Sequence, residues 1–234
     1  MTVIASSATY SAAVAEATTY ARWILDTFRP HLQPPILEIG LGHGGFVSDL
    51  AAIGDYIGLD IDPEAVAEAT RAYPGLRFVT SDIADRDALA GVGRVQSILC
   101  CNVLEHVPDD RQAVTHLLEL LQPGGHLLIQ VPAHTFLYND LDRLAHHQRR
   151  YGRKELLALF AGEPAEVIRV DYFNPVGFFG WGLNNFIAHD DLDGAGCNAQ
   201  IRFFVRYLLP ISRLLTPLTR GFFGQSLMLV VRKK

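Results

Sequence analysis

The clearest pattern in this 234-residue sequence is an alternation of short apolar runs with longer segments of helical apolar spacing. Apolar runs near residues 36, 57, 78, 98 and 127 have the length and composition of buried strands. Between them, apolar residues recur every three or four positions, as they do on one face of a helix. This alternation predicts an α/β fold with a doubly wound, parallel sheet.

Capping residues indicate where several of the predicted helices begin. Asp62 and Pro63 combine an N-cap acid with a proline at the first helical position. Asp109 and Asp110 open the next helix, and a Pro-Gly-Gly turn ends it. A further helix is predicted over residues 10–28, before the first strand. Its apolar positions are Tyr10, Val14, Ala17, Tyr20, Ala21, Ile24, Leu25 and Phe28.

The second half of the chain has a different character. Residues 132–142 are predicted to form a loop, followed by a helix over residues 153–160 and a strand near residues 167–170. Residues 172–225 are predicted to be a substrate-side insertion before the last strand, with an amphipathic segment at 201–215 that Pro210 kinks. We therefore predict one domain over residues 1–234, with an N-terminal helical segment (1–34), a cofactor-binding half (35–132) and a substrate-side half (133–234).

A glycine-rich segment follows the first predicted strand. Gly40, Gly42, Gly44 and Gly45 fall within six residues, directly after the strand that contains Glu38. Glycine adopts positive φ and lets a ligand lie against the backbone, because no Cβ intervenes. The unpaired N–H groups at the start of the next helix favour an anionic group. The segment is therefore predicted to bind a small, partly anionic ligand.

The glycine pattern alone does not identify the ligand. Its glycines satisfy G-x-G-x-x-G, and Asp60 lies about 20 residues further on, as in dinucleotide-binding folds. Glu38 argues against a dinucleotide, because a second acid would crowd a pyrophosphate. The next two strands end in acids, Asp60 placed for ribose hydroxyls and Asp82 placed to accept from an adenine amine.

Five motifs occur in order between residues 36 and 132, namely E-x-G-x-G-x-G, G-x-D, S-D-I, N-V-L-E-H-V and L-Q-P-G-G. Together they resemble the class I S-adenosylmethionine-dependent methyltransferases. The resemblance implies a Rossmann-like, seven-stranded, mostly parallel sheet with helices on both faces, and S-adenosylmethionine as methyl donor. It implies that Glu38 and residues 40–44 hold the methionine end, Asp60 the ribose and Asp82 the adenine. The expected cofactor-binding residues are Glu38, Gly40, Gly42, Gly44, Asp60, Ile61, Asp82, Ile83, Asn102 and Val103.

The second half is similar to a bacterial subgroup of these methyltransferases. The shared motifs are V-P-A, D-x-x-x-x-H-x-R-R-Y, Y-F-N, G-W and G-Q-S-L, in that order from residue 131 to residue 227. Substrates in this subgroup are tied to surface glycans, lipids or secondary metabolites. The resemblance therefore defines the fold more closely than the acceptor.

Histidines are the first candidates for a catalytic base, because methyl transfer to oxygen or nitrogen also removes a proton. His147 could be such a base, with its tautomer fixed by Asp142 five residues earlier. The alternative is that Asp142, His147 and Arg150 stabilise a lid loop through ion pairs. His106, after the fourth strand, could be the base or could line the cofactor pocket.

The candidate acceptor-binding residues come from several segments. Aromatic residues could wall an apolar pocket or belong to the core, and the arginines could hold a carboxylate or phosphate in a bidentate grip. The set comprises Tyr20, His134, Arg150, Tyr151, Phe178 and Trp181. No metal site is predicted, because the spacing of the histidines and acids near residues 140–147 matches no closed ligand set.

Charge is distributed unevenly along the chain. The net charge is −5, but the last 41 residues contain seven basic residues and no acidic one. This end could meet an anionic membrane or an acidic substrate, or could be a solvated helix face. The basic residues are too dispersed to predict nucleic-acid binding. An exposed aromatic surface could also form the interface of a homodimer. The three cysteines show no disulfide pattern, which indicates a cytoplasmic protein.

The sequence therefore predicts an enzyme that transfers a methyl group from S-adenosylmethionine to a small-molecule, lipid-like or glycan-related acceptor, most readily at oxygen. Two alternatives stay open at this point. One is an NAD(P)-dependent oxidoreductase, and the other is a methyltransferase fold that serves as a cyclase or a non-catalytic partner.

Overall fold

The computed structural model describes Ala13, residues 17–187 and residues 191–234. Its sheet contains β1 (Ile36–Ile39), β2 (Tyr56–Asp60), β3 (Arg77–Thr80), β4 (Val95–Cys101), β5 (Leu121–Pro132), β6 (Ala165–Phe173) and β7 (Ser226–Lys233). The strands lie in the order β3-β2-β1-β4-β5-β7-β6. Two residues of the predicted N-terminal helix, Tyr10 and Val14, lie outside the described residues.

Strand direction divides the sheet into two parts. Strands β1 to β5 pair in parallel, whereas β7 lies antiparallel between β5 and β6. The carboxyl ends of the five parallel strands therefore meet along one edge, where ligands bind in open α/β sheets. The predicted seven-stranded, mostly parallel sheet is confirmed.

Helices cover both faces of the sheet. They are α1 (Thr18–Phe28), α2 (Val47–Ala51), α3 (Pro63–Ala72), α4 (Asp110–Leu120), α5 (Asp140–Leu144), α6 (Arg153–Ala158), α7 (Pro175–Leu183), α8 (Ala195–Phe203) and α9 (Leu209–Thr219). Buried apolar residues of α1, α2 and α3 pack on one face, and those of α4 and α6 pack on the other. Cys100 and Cys101 contact opposite clusters, as neighbours on a strand should, and both are free thiols.

Two of the predicted helix starts are confirmed by their caps. The Asp62 carboxylate accepts from the backbone N–H of Glu64, and Pro63 is the first residue of α3. The Asp109 carboxylate accepts from the N–H of Gln112 at the start of α4. Each carboxylate binds a backbone donor that the helix leaves unpaired.

Several elements differ from their predicted bounds. The predicted loop at 132–142 contains the start of α5, because Asn139 and Asp142 form a capping box there. Segment 201–215 belongs to a longer helical stretch that changes to a π turn at Phe204–Leu208. Pro210, which has no N–H to donate, lies in the first turn of α9 directly after that π turn, so the irregularity precedes the proline.

Candidate active site

The glycine-rich segment after β1 forms a tight loop at the carboxyl edge of the sheet. Gly40, Gly42 and Gly44 have φ values of +79°, +49° and +71°, which side chains disfavour. A Cβ on Gly40 would lie 2.5 Å from a methyl group of Val103, which follows β4. The loop therefore passes too close to its neighbour for any side chain at this position.

Asp60 binds the backbone of the glycine loop. Its carboxylate accepts from the N–H groups of Leu41 at 2.7 Å and Gly42 at 3.4 Å. Its second oxygen accepts from the N–H of Asp62 at 2.9 Å. Asp60 thus fixes the loop at the point where β1 and β2 end. The helix predicted after the loop, α2, has five residues.

Glu38 is a buried acid beneath this loop. Its side chain is 1% exposed, and one carboxyl oxygen accepts a hydrogen bond from the Tyr56 hydroxyl at 2.5 Å. Burial raises the pKa of Glu38 to about 8; the Tyr56 hydrogen bond lowers it and the charge of Asp60 raises it. The other oxygen has no hydrogen-bond partner in the described part of the chain. A cationic group at this oxygen would favour the carboxylate form.

The remaining expected cofactor residues lie along the same edge. Asp82 follows β3, and its carboxylate accepts from the N–H of Ala84 at 2.8 Å. Asn102 has a φ of +52° and donates its N–H to the Gln130 carbonyl, which joins the ends of β4 and β5. Ile61 follows β2 directly and is half-buried, whereas Ile83 is 4% exposed and belongs to the core.

Unpartnered polar atoms are concentrated at this edge. Near the carboxyl ends of β1, β3, β4 and β5, buried side-chain atoms make no hydrogen bond with the described residues. They belong to Glu38, Ser81, Glu105, Gln130 and His134. Buried polar atoms are almost always paired in folded proteins, so a row of unpaired ones indicates where a polar ligand binds.

His147 and Asp142 are in contact, as their spacing predicted. The Nδ1 atom of His147 lies 2.7 Å from an Asp142 oxygen, and Arg150 Nε lies 2.8 and 2.9 Å from the two oxygens. Burial opposes ionisation of Asp142, but the hydrogen bond from His147 and the charge of Arg150 outweigh it and lower its pKa. An ionised carboxylate only accepts, so Nδ1 carries the proton and Nε2 is the basic nitrogen. The contact fits both the base and the lid-loop interpretations.

Glu105 is a second carboxyl group beside His147, and the sequence did not single it out. It is fully buried, and one of its oxygens lies 3.9 Å from His147 Nε2. Burial raises the pKa of Glu105 to about 7, against the opposing charges of His147 and Arg150. The N-V-L-E-H-V motif already contains this residue, but only the fold brings it to His147, because the two are 42 positions apart.

His106 lies beside His147, with 4.8 Å between ring centroids. Burial, and then the neighbouring charge of His147, lower the pKa of His106 to about 4, which makes it a weak base near neutral pH. Ligand atoms of Glu105, His106 and His147 lie within 4.8 Å of one another. The spacing that predicted no metal site did not include this set, and the prediction stays untested.

Two expected acceptor-binding residues have other partners in the structure. Arg150 is 3% exposed and binds Asp142 and the Ala133 carbonyl, so its guanidinium is not free to hold an acceptor anion. Tyr151 is also 3% exposed, and its hydroxyl donates to the Leu104 carbonyl or to the Asp110 carboxylate. Arg150 thus ties parts of the segment after β5 to each other, and Tyr151 joins that segment to the one after β4.

Aromatic side chains form one wall beside the end of β5. The His134 ring stacks on Tyr172 at 5.0 Å and meets Phe178 edge-on at 5.1 Å. Trp181 packs on the Arg150 guanidinium, with 4.6 Å from its central carbon to the ring centroid. We define the "aromatic wall" as His134, Tyr172, Phe178 and Trp181.

Tyr20 approaches the same edge from α1. Its ring packs against Trp23 and Phe173, with centroid distances of 5.9 and 6.1 Å. Burial raises the pKa of Tyr20 to about 12, although hydrogen bonds with Asn174, Ser226 and Gln130 oppose the rise. The ring therefore belongs partly to the core, while the hydroxyl contacts polar groups at the ends of β5 and β6.

The chain is similar to several known proteins. Residues 37–127 match the family described as methyltransferase domain. The ubiquinone biosynthesis O-methyltransferase of Ralstonia nicotianae is 29% identical over 175 residues, which cover 66% of this chain and 72% of that protein. The enzyme of the same name from Thiobacillus denitrificans is 30% identical over 108 residues. That match covers 44% of this chain and 46% of the relative.

A solved structure shares the fold over almost the whole chain. The N-methyltransferase NodS of Bradyrhizobium japonicum, in complex with S-adenosyl-L-homocysteine, aligns with a TM-score of 0.56. The alignment covers 95% of this chain and 88% of NodS at 14% identity. At that identity the likeness concerns the fold alone.

Proposed function

We propose that the chain is a class I S-adenosylmethionine-dependent methyltransferase and that it methylates an oxygen atom of a small, apolar acceptor. The observation that carries this proposal is the row of unpaired polar atoms at the carboxyl edge, next to an aromatic wall. Polar atoms suit the charged ends and sugar of the cofactor, while the aromatic rings suit an apolar acceptor. The choice of oxygen is supported by the curated relatives, which are named as O-methyltransferases.

The residues at the edge fit the cofactor. The free oxygen of Glu38 suits the ammonium group of the methionine end, and the glycine loop leaves room beside the backbone. Asp60, at the end of β2, is assigned to the ribose, and Asp82, after β3, is assigned to the adenine. S-adenosylmethionine supplies, when bound, a methyl group that its sulfonium makes electrophilic.

We assign the removal of the acceptor proton to His147. Asp142 holds the imidazole through Nδ1, and Nε2 makes no hydrogen bond within the described residues. When Nε2 takes the acceptor proton, the imidazolium is flanked by Asp142 at 2.7 Å and Glu105 at 3.9 Å, which both favour the positive charge. Asp142 thereby orients the base, and Glu105 stabilises its charged form.

The aromatic wall is assigned to the acceptor. Alignment of two reactants in a site contributes about 7–11 kcal/mol to rate enhancement, and flat rings fix an apolar acceptor with little loss of entropy. His134 Nε2 is buried and unpaired among the described residues, so it can hydrogen-bond to a polar group of the acceptor. The pocket would then select a mostly apolar molecule that carries a hydroxyl group.

Isothermal titration with S-adenosylmethionine and with NADH tests the cofactor. The proposal predicts binding of S-adenosylmethionine and none of NADH. Binding of NADH alone would contradict it and favour an oxidoreductase. Transfer of a labelled methyl group to a panel of apolar phenols and alcohols then tests the reaction. Cofactor binding with conversion of an acceptor but no methyl transfer would favour a cyclase.

A matched pair of histidine variants tests the base. His147→Asn should lower kcat by about 10²- to 10⁴-fold, while the affinity for S-adenosylmethionine stays within about twofold. His146→Asn is the control, because His146 is adjacent, exposed and has a φ of +59° that asparagine tolerates. Equal kcat for both variants over the pH range would show that alignment alone drives the reaction.

A further inference from the structure

The C-terminal helices carry apolar side chains that face solvent. We define the "apolar surface" by six residues that are 60–88% exposed, namely Phe179, Leu183, Phe186, Leu214, Leu218 and Phe222. The first three are spaced four and three positions apart along α7 and the turn after it, and the last three are four positions apart along α9 and the turn after it. Each set therefore lies on one side of its helix.

The two helices that carry this surface are fastened to each other. The Val176 N–H in α7 donates to the Ser212 hydroxyl in α9 at 3.2 Å, and that hydroxyl donates to Asn174 at 2.7 Å. The rings of Phe179 and Phe223 are 5.7 Å apart. The exposed residues of α7 and α9 thus belong to one packed unit.

Charge around the surface is mostly basic. Residues 172–187 carry no charge, residues 194–234 carry seven basic and no acidic residues, and the segment between them contains three acids, Asp190, Asp191 and Asp193. Arg206, Arg213 and Arg220 are exposed along the π turn, along α9 and at its end. Arg213 lies 3.5 Å from Asp26 and Arg220 lies 4.0 Å from Asp171, and such solvent-exposed pairs hold their partners weakly.

From this combination we propose that the apolar surface rests on the surface of an anionic lipid bilayer. Exposed leucine and phenylalanine side chains enter the headgroup boundary, and the arginines meet lipid phosphates. None of the described helices is long and apolar enough to cross a membrane. A second copy of this chain fits the surface less well, because it would place basic residues against basic residues.

The surface continues to the aromatic wall. The Phe179 ring lies 5.3 Å from that of Phe178, which in turn lies 5.1 Å from that of His134. An apolar acceptor dissolved in the bilayer would therefore meet aromatic rings along the way to the site. This extension rests on the proposed function, whereas the membrane contact itself does not.

Flotation of the full chain with lipid vesicles tests the contact. The proposal predicts binding to vesicles of equal parts phosphatidylglycerol and phosphatidylcholine, weaker binding to phosphatidylcholine alone, and release by salt. The variant Leu214→Glu/Leu218→Glu should lose at least about tenfold in vesicle affinity. Its control, Ala67→Glu/Thr70→Glu on exposed positions of α3, adds the same charge elsewhere and should stay within about twofold.

Two results would overturn the proposal. One is absence of binding to the anionic vesicles, or equal binding to both lipid compositions. The other is a dimer in analytical ultracentrifugation that the Leu214/Leu218 variant dissociates, because the surface would then join two copies. Titration of the same variants with S-adenosylmethionine keeps the two proposals apart: vesicle binding without cofactor binding would refute the proposed function and leave the membrane contact standing.

Discussion

Replacement of Glu38 by glutamine gives a quantitative test of how the cofactor is held. In the unliganded protein the pKa of Glu38 is about 8, because burial outweighs the hydrogen bond from Tyr56. At pH 7 about nine-tenths of the molecules then carry the neutral acid. The ammonium group of S-adenosylmethionine favours the carboxylate, so cofactor binding should release a proton.

The expected change in affinity for S-adenosylmethionine with pH follows from the pKa of Glu38. Ionising a carboxyl group one pH unit below its pKa costs about 1.36 kcal/mol, which corresponds to a factor of about ten in affinity. Affinity for S-adenosylmethionine should therefore rise about tenfold from pH 6 to pH 7, with about 0.9 proton released at pH 7. Glu38→Gln should abolish both effects and lower the affinity at pH 7.5 about 10- to 100-fold, because hydrogen bonds to charged groups contribute about 1.5–3 kcal/mol.

The assay is isothermal titration from pH 6 to pH 7.5 in two buffers that differ in ionisation enthalpy. Over this range the amino group of the free cofactor stays mostly protonated, since α-amino pKa values lie near about 7.7–8.0. Tyr56→Phe removes the hydrogen bond that lowers the pKa of Glu38, so it should shift the pH dependence to higher pH.

Stability provides the control for folding. Because the folded state raises the pKa of Glu38 above its ordinary value, the neutral acid stabilises the fold at low pH. That contribution is lost as the pH rises towards about 8. Glu38→Gln should therefore melt no lower than the wild type at pH 7.5. A wild-type affinity that is independent of pH, with no proton released, would refute the reasoning, as would unchanged binding by the glutamine variant.

Two further predictions concern stability. Gly40→Ala should lower the free energy of unfolding by about 2 kcal/mol or more, because φ is +79° and the new Cβ meets Val103 at 2.5 Å. In urea denaturation Gly91→Ala, whose Cβ meets no atom within 4 Å, should change it by less than about 0.5 kcal/mol, and equal losses would contradict the steric argument. Asp142→Asn should cost about 3–5 kcal/mol, because it leaves the Arg150 charge buried without its partner. The difference from wild type should shrink as the pH falls through the lowered pKa of Asp142, and a pH-independent difference would contradict the ion-pair argument.

Features with a local physical cause could be predicted from the sequence. Asp62 and Asp109 begin helices because a short carboxylate binds the first free N–H groups of its own helix. The acids at the strand ends meet at one edge because parallel strands all finish there. The Asp142–His147 contact also follows from short-range spacing, since only five positions separate the two residues.

Features that depend on distant segments could not be predicted in this way. Glu105 meets His147 only because β5 returns the chain to the end of β4, which no short pattern encodes. Arg150 and Tyr151 are also buried, and their polar groups bind Asp142 and Asp110, which lie eight and 41 positions away. Apolar periodicity indicated a helix after the glycines without fixing its end, and α2 ends after five residues.

A crystal structure of the chain with S-adenosylhomocysteine would test the central claim most directly. We expect the amino group at the free oxygen of Glu38, the ribose at Asp60 and the adenine beside Asp82, along the carboxyl edge of β1, β2 and β3. A product molecule bound elsewhere, or the same edge occupied by the pyrophosphate of a dinucleotide, would contradict it.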